Sequence, residues 1–326
     1  MPRHHDLLVI GASAGGVEAL KRIAAGLPRD LAAAVMITMH LRGDFRSALA
    51  QIISNAGPPP ADFAGDYQRI ERGRIYIAPP DHHLLVCRDT LRLGHGPREN
   101  NARPAVDPLF RSAAVCCGPH TIGLVLTGYL NDGSSGLNAI KRCGGITVVQ
   151  DPEDAAFPEM PRNAIRMTNA DHVVSLVKIP DLLMRLVQVP EGEPGPMPQD
   201  IRLEADIAIA GHNGTECMEE LGNRSVLACP DCHGVLWKIE DGDLTRYRCH
   251  TGHAYTEEAL ESGLQEDVGR ALGSALRALD DRIQLLREME RQARERNRDW
   301  LAEEWADRAN KVEAEAVVVR QTMGRL

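Results

Sequence analysis

A serine, a histidine and an aspartate that could together cleave an ester are spread over the first part of this 326-residue chain. Ser13 lies in Leu7-Leu8-Val9-Ile10-Gly11-Ala12-Ser13-Ala14-Gly15-Gly16, where an apolar strand runs into a glycine-rich turn and then a helix. Such a turn aims backbone N–H groups and the positive end of the helix at one point. It fits the G-x-S-x-G pattern of a nucleophile turn. It fits a dinucleotide loop poorly, because Ser13 stands where the second glycine belongs and Leu31–Ala34 replace the expected acid. A helix N-cap serine is the plain alternative. His40 closes the apolar run Ala34–Met39, and Asp132 lies in the turn after Thr121–Leu126. Alone, His40 reads as a surface histidine and Asp132 as a turn or capping residue. At the ends of three parallel strands, all three would share one rim, as nucleophile, base and orienting acid.

A second constellation lies far downstream. Cys229, Cys232 and Cys249 with His250 or His253 give a C-x2-C-x16-C-x3-H spacing when His253 is counted. Two ligand pairs on adjoining turns can close a tetrahedron around Zn²⁺, which favours thiolate and imidazole. Residues Gly234–Arg248 alternate apolar and polar, as a short hairpin carrying the pairs at its base would. So small a segment cannot bury its own core, and a metal would supply the missing stability. Four protein ligands make a closed, structural Zn²⁺ site, so no cofactor is expected in catalysis. Cys116, Cys117 and Cys143 read as small core residues, and eight cysteines are too few for a disulfide scaffold.

The elements that must position these groups follow from hydrophobic period. Leu7–Ile10, Ala34–Met39, Thr121–Leu126 and Ile146–Gln150 are apolar strands. They alternate with helices at Gly15–Leu27, Arg46–Ser54, Asp107–Cys117 and Ser134–Arg142. Arg74–Ala78 and Leu84–Leu93 read as a hairpin turning at Pro79–Asp81, with His82 and His83 beside that turn and His172 before a later strand, all in structural roles. Apolar strands alternating with helices predict an α/β fold with a doubly wound, mostly parallel sheet, followed by a small zinc-binding module and C-terminal helices. The domains divide as 1–190 catalytic, 191–224 linker and irregular chain, 225–257 zinc-ribbon-like module and 258–326 helical segment. In the last, one stripe runs through Leu272, Leu276, Leu279, Ile283 and Leu286 and another through Trp305, Ala309, Val312, Ala316, Val319 and Met323. They imply two helices, or one interrupted around Arg291–Asp299.

Composition excludes several classes. Lys and Arg total 37 against 46 Asp and Glu, a net charge of -9, and 4% of residues are aromatic. That opposes both phosphate neutralisation and base stacking, so no nucleic-acid partner is expected. The acids Asp231, Glu240, Asp241 and Asp243 oppose it for the zinc module as well. The apolar runs fall short of the roughly 18 residues that a membrane span needs. The N-terminal run breaks at Gly11–Gly16 and is a strand rather than a signal peptide, which points to a cytoplasmic protein without membrane insertion.

The segments GASAGG (11–16), MHL (39–41), GRIYIAPPDHHLLV (73–86), RPAVDPLFRSAA (103–114), LTGYLNDGSSGL (126–137), VVQDPEDAAFPEMPRNAI (148–165) and ADHVVSL (170–176) resemble, in order, the catalytic domain of the bacterial chemotaxis protein-glutamate methylesterase, the CheB family. The resemblance implies a doubly wound α/β domain that hydrolyses glutamyl γ-methyl esters on chemoreceptors, often with deamidation of particular glutamines. It places the family's catalytic serine, histidine and aspartate on Ser13, His40 and Asp132, with N–H groups near Gly15–Gly16 as oxyanion donors. Zinc-ribbon tails in some members that lack a receiver domain favour His253 over His250 as the fourth ligand. The expected partners are a methylated chemoreceptor or similar signalling protein, and a methyltransferase or sensor. The terminal helices suit a homo-oligomer or partner surface, and Arg42 and Arg46 could meet an acidic receptor segment. Three features depart from the family: no phosphorylatable receiver domain precedes the first strand, Ala14 replaces a usual threonine, and Tyr129-Leu130 replace Met-Gly. Two other readings stand beside the esterase: a non-catalytic signalling scaffold that binds a partner through its tail, and a zinc hydrolase with an open metal position.

Overall fold

The computed structural model describes residues 5–41, 47–190, 197–210, 215–241 and 244–325. Seven strands form one sheet: β1 (Leu7–Ala12), β2 (Ala34–Met39), β3 (Ala61–Phe63), β4 (Ile75–Ile77), β7 (Thr121–Val125), β8 (Ile146–Gln150) and β9 (His172–Val174), in the order β3-β4-β2-β1-β7-β8-β9. Every neighbouring pair is parallel. β1 and β2 are buried at every residue, as strands covered by helices on both faces must be. Winding runs outward from β1 to β2 on one side and resumes at β7 on the other. The switch point between β1 and β7, where a doubly wound sheet opens a crevice, therefore lies beside Ser13.

Helices α1 (Gly16–Gly26), α2 (Leu49–Ala56), α3 (Val106–Cys117), α4 (Ser134–Arg142), α5 (Glu159–Thr168) and α6 (Ile179–Leu186) complete the layers. α1 buries Ala19, Leu20, Ile23 and Ala24, the i, i+3, i+4 stripe of an amphipathic helix. The hairpin expected from Arg74 to Leu93 is corrected. β4 enters the main sheet between β3 and β2, and the antiparallel pair is β5 (His83–Cys87) with β6 (Thr90–Gly94). Pro79-Pro80 is thus an exit from the sheet and not a hairpin turn. Arg42 and Arg46, and most of the Pro- and Gly-rich linker, lie outside the described residues.

The segment read as linker and irregular chain holds α7 (Gln199–Ala210) and α8 (Thr215–Leu221). After them comes a four-stranded antiparallel sheet of β10 (Asn223–Ala228), β11 (Val235–Asp241), β12 (Leu244–Cys249) and β13 (Ala254–Thr256). Everything to Leu260 forms one compact unit. The small sheet meets the rest of it through buried charge. Glu204 of α7 takes both arms of the Arg246 guanidinium at 2.8 Å and Arg248 Nε at 3.2 Å, and Arg248 also reaches Glu99 at 2.9 Å. Arg111 of α3 completes the set on Glu99. All five side chains are at most 6% exposed. Glu204→Ala would strand Arg246 and Arg248 without their shared anion, an error that costs about 3–5 kcal/mol. A urea melt should show that loss of stability; a change below 1 kcal/mol would mean the guanidinium groups find water instead.

The second unit begins at Glu261 and contains most of α9 (Glu257–Glu295) and all of α10 (Asp299–Met323). Leu279, Ile283 and Leu286 pack with Trp305, Ala309 and Val312, and Arg287–Glu313 and Arg320–Asp280 ion pairs bridge the two helices. The two stripes of the sequence thus cover each other. Among the described residues no helix is long and apolar enough to cross a membrane.

Candidate active site

Ser13 follows β1 directly, with its N–H donated to Thr127 O at 3.0 Å. Gly15 has φ +74, and a Cβ there would press on Ala156, Phe157 and Thr127, so glycine is required for both conformation and space. At Gly128 a Cβ would lie 2.8 Å from Ser13 Cβ, so the loop after β7 passes the serine only as glycine. His40 follows β2, its N–H bonded to Ala12 O at 3.4 Å.

The three candidate residues meet. Ser13 Oγ lies 3.0 Å from His40 Nδ1, and His40 Nε2 lies 2.7 Å from Asp132 Oδ2. The hydrogen-bond network assigns the tautomer: Nε2–H donates to the carboxylate, leaving Nδ1 to accept the serine hydroxyl. The ring is turned over relative to the chymotrypsin-type triad, in which Nε2 faces the serine. The relay is unchanged, since either ring nitrogen is a base when the other carries the proton.

Asp132 shows how burial and charge are reconciled. It is 1% exposed, yet four donors reach it. His40 Nε2 and Val106 N–H (2.6 Å) meet Oδ2, while Asn100 Nδ2 (2.9 Å) and Asp107 N–H (3.2 Å) meet Oδ1. Val106 and Asp107 open α3, whose N-cap Ala105 has no side chain to offer, so Asp132 serves that helix end from across the site. Burial raises its pKa, but His40 and these donors outweigh burial and hold it below the ordinary carboxylate value.

Asp107, 2% exposed, is the opposite case. Burial first, then the neighbouring Asp132 charge, pushes it up to about 7. Asn100 Nδ2 bridges the two carboxyl groups at 2.9 Å from each, and below about pH 7 the pair carries one charge, on Asp132. Between about pH 4 and 7 the folded chain keeps a proton on Asp107 that the unfolded chain has lost. Stability then falls as pH rises through that window, by up to about 1.4 kcal/mol per unit. Asp132, shifted downward, acts only below it. Urea unfolding at pH 4.5 and pH 7 should find this slope in the wild type and a flatter one in Asp107→Asn; equal slopes would refute it.

The cleft above these residues, about 910 Å³, is lined by Ser13, His40, Asp81, Arg98, Arg103 and Tyr129 among others. Arg103 is held by Asp81 at 2.7 Å. Tyr129 packs on Phe157 with ring centroids 4.7 Å apart. Leu130 has φ +60, a conformation that glycine reaches without cost and that a leucine side chain strains. Glu159 Oε2 accepts its N–H and Asn163 donates to its carbonyl, holding the turn. The oxyanion expectation narrows: Gly16 N–H is donated to Ser13 O at 2.9 Å. That removes Gly16 from the expected donors.

His83 is buried, bonded to Pro97 O and Ala105 N–H, and takes no place in the cleft. Sequence reasoning assigned no role to Asn100, Asp107 or Thr127. Asp107 carried a usable signal, an acid in the first turn of a helix whose preceding residue cannot cap it.

Downstream, one ligand atom each from Cys229, Cys232, Cys249 and His253 lies within 4.8 Å of the others, and the cluster could hold a metal ion. His253 presents Nδ1 to Cys249 Sγ at 3.5 Å, while its Nε2 faces Asp231 at 3.8 Å. Thr251 Oγ1 lies 2.8 Å from Cys249 Sγ and 3.0 Å from Cys232 Sγ.

A serine bonded to a histidine that a buried aspartate orients, at the switch point of a parallel sheet, is the constellation of serine hydrolases. The comparisons agree. The sequence profile of the CheB methylesterase family matches residues 8–183. The chain belongs to the CheB methylesterase family and is a carboxylic ester hydrolase. A relative from Leptospira interrogans is 38% identical over 186 residues, 57% of this chain and 96% of its own. The protein-glutamate methylesterase/protein-glutamine glutaminase of Hydrogenovibrio crunogenus is 35% identical over 188 residues, and the match takes in 56% of this chain and 50% of that one. The crystal structure of the Thermotoga maritima CheB methylesterase catalytic domain is similar with a TM-score of 0.54 at 33% identity, covering 56% of this chain and 98% of that one. The family profile ends at residue 183.

Proposed function

We propose that the chain is a protein-glutamate methylesterase that removes γ-methyl groups from glutamyl side chains of methylated chemoreceptors, through a Ser13 acyl-enzyme. The observation that carries this is the continuous relay from Ser13 Oγ through His40 to Asp132, at 3.0 and 2.7 Å. His40 Nδ1 takes the hydroxyl proton as Ser13 Oγ attacks the ester carbonyl. The N–H of Gly15 then faces the developing oxyanion. Collapse breaks the C–O bond to methanol, which leaves with the proton from His40. Water, deprotonated by His40, attacks the glutamyl-serine ester and returns the enzyme with a free glutamate. Asp132 stays ionised throughout, stabilising the imidazolium. The same acyl-enzyme forms from a glutamine amide with loss of ammonia, which accounts for deamidation by the same site.

The catalytic domain spans 1–190, the module 225–257 and the helical segment 258–326, and the protein works in the cytoplasm, where receptor methylation sites are. The module holds Zn²⁺ through Cys229, Cys232, Cys249 and His253. Tetrahedral Zn–S bonds of about 2.3 Å place neighbouring sulfurs about 3.7 Å apart, and Cys232 Sγ and Cys249 Sγ are separated by 3.6 Å. Asp231 against His253 Nε2 is the carboxylate that such a ligand's second nitrogen requires. A closed set of four leaves no position for substrate, so the metal serves the fold. The helical segment is the surface for a second copy, a methyltransferase or a sensor. The test of the esterase reading is methanol release from methylated chemoreceptor membranes, wild type against Ser13→Ala.

A further inference from the structure

The small antiparallel sheet does more than follow the catalytic domain, because its last strand is bonded to the residue that holds Asp132. Asn100, 7% exposed, uses its backbone N–H and both polar atoms of its side chain. Its Nδ2 donates to Asp132 and Asp107 at 2.9 Å each, its N–H donates to Ala254 O at 2.8 Å, and its Oδ1 accepts Thr256 N–H at 3.1 Å. Ala254 N–H in turn reaches Arg98 O at 3.3 Å, so β13 grips the 98–100 segment at two backbone positions. Asn101 Nδ2 donates to Ala259 O at 2.9 Å in the first turn of α9. On the other side of the aspartate, Asn131 is bonded to Thr256 Oγ1 and to Glu258 Oε2. Glu99 is fixed by Arg248 of β12.

We propose that Asn100 is a positioning residue for Asp132, and that β13 is an integral part of the active site because Ala254 and Thr256 fix the amide that bridges Asp132 and Asp107. The inference rests on the serine-esterase reading of Ser13. The bridge has a defined chemical purpose. Two carboxyl groups in a dry site hold one charge between them, and the charge must sit on Asp132 to orient His40. Asn100 is in the left-handed region, φ +50, and neither end of its amide can move while both acids and Thr256 N–H are engaged. Without the amide, Asp132 loses a donor on Oδ1 and the His40 ring loses its fixed partner. The segment therefore makes the tail a condition of catalysis, set three residues beyond His253 at the metal cluster.

The experiment uses the full chain and a fluorophosphonate probe that labels activated serines, together with the low-field proton resonance of the His40–Asp132 hydrogen bond. Asn100→Ala should lower the maximal labelling rate of Ser13 at least tenfold, with the half-saturating probe concentration unchanged, and should shift or broaden the resonance. Beside Thr256→Val, which loses only the hydroxyl bonded to Asn131 and Ala259 N–H, Thr256→Pro also deletes the N–H that holds Asn100 Oδ1. It should move both readouts in the same direction by a smaller amount. Wild-type labelling and an unmoved resonance in a folded Asn100→Ala, or in a folded Thr256→Pro should the first variant not fold, would overturn the inference while leaving the esterase reading intact. A wild-type chain that does not label at all would overturn both.

Discussion

Ser13→Ala is expected to cut methanol release from methylated chemoreceptors by about 10³–10⁴-fold while leaving the fold intact. The hydroxyl reaches His40 Nδ1 at 3.0 Å and lines the cleft, so its loss opens no core cavity. Stability should change by less than about 0.5 kcal/mol. Residual release would come from the oxyanion donors and substrate binding acting on water. Because nucleophile and base work as one unit, His40→Ala should cost about as much, and the double variant little more than either. A Ser13→Ala protein that releases methanol at the wild-type rate would end the acyl-enzyme reading.

The rim that carries these groups was legible in the sequence because it rests on the strongest pattern there is. Apolar runs too uniform to have a wet face must lie inside a parallel sheet, and residues following them share one edge. Ser13, His40 and Asp132 follow β1, β2 and β7, three strands adjacent in space though Asp132 is 92 positions beyond His40. What stayed hidden has physical reasons. β3 is three residues long, too short for a period to register. β4 was paired with the wrong partner because Pro79-Pro80 looks like a turn, although Ile75–Ile77 is buried throughout, as a sheet interior should be. α7 escaped because one of its inward residues is Glu204, which breaks the apolar stripe unless its two arginines are known. Those arginines, Arg246 and Arg248, lie two apart on one face of β12, and only pairing across the fold makes that face an interior one. Asn100 was silent for a similar reason: a polar residue in a loop gains its role only when two distant acids and a strand end converge on it.

The cysteine cluster yields the second large effect. Cys249→Ser removes a proposed ligand that is itself buried, in a set whose ligand atoms lie within 4.8 Å of one another and whose hydroxyl neighbours, Thr251 and Tyr255, already face the sulfurs. A chain of only four short strands has little apolar area of its own: Trp237 and Ile239 pack with Ile207, Met218 and Leu221, and much of the remaining interior is ionic. On the zinc reading proposed above, the metal supplies stability that the core does not, and its loss belongs with the most damaging single changes a protein can suffer. A loss of about 4 kcal/mol, at 2–4 °C per kcal/mol for a unit of this size, corresponds to a fall of roughly 10 °C in the midpoint of thermal unfolding. Metal analysis should find one zinc per chain in the wild type and none in the variant. Cys87→Ser, a thiol far along the sequence from the cluster, should keep both the metal and the midpoint. If Cys249→Ser melts within 2 °C of the wild type, the thiols hold no structural ion and the buried ion pairs alone fix the module. If the midpoint falls and Ser13 labelling falls with it at a temperature where the α/β sheet is still folded, then metal, β13, Asn100 and Asp132 form one chain of dependence.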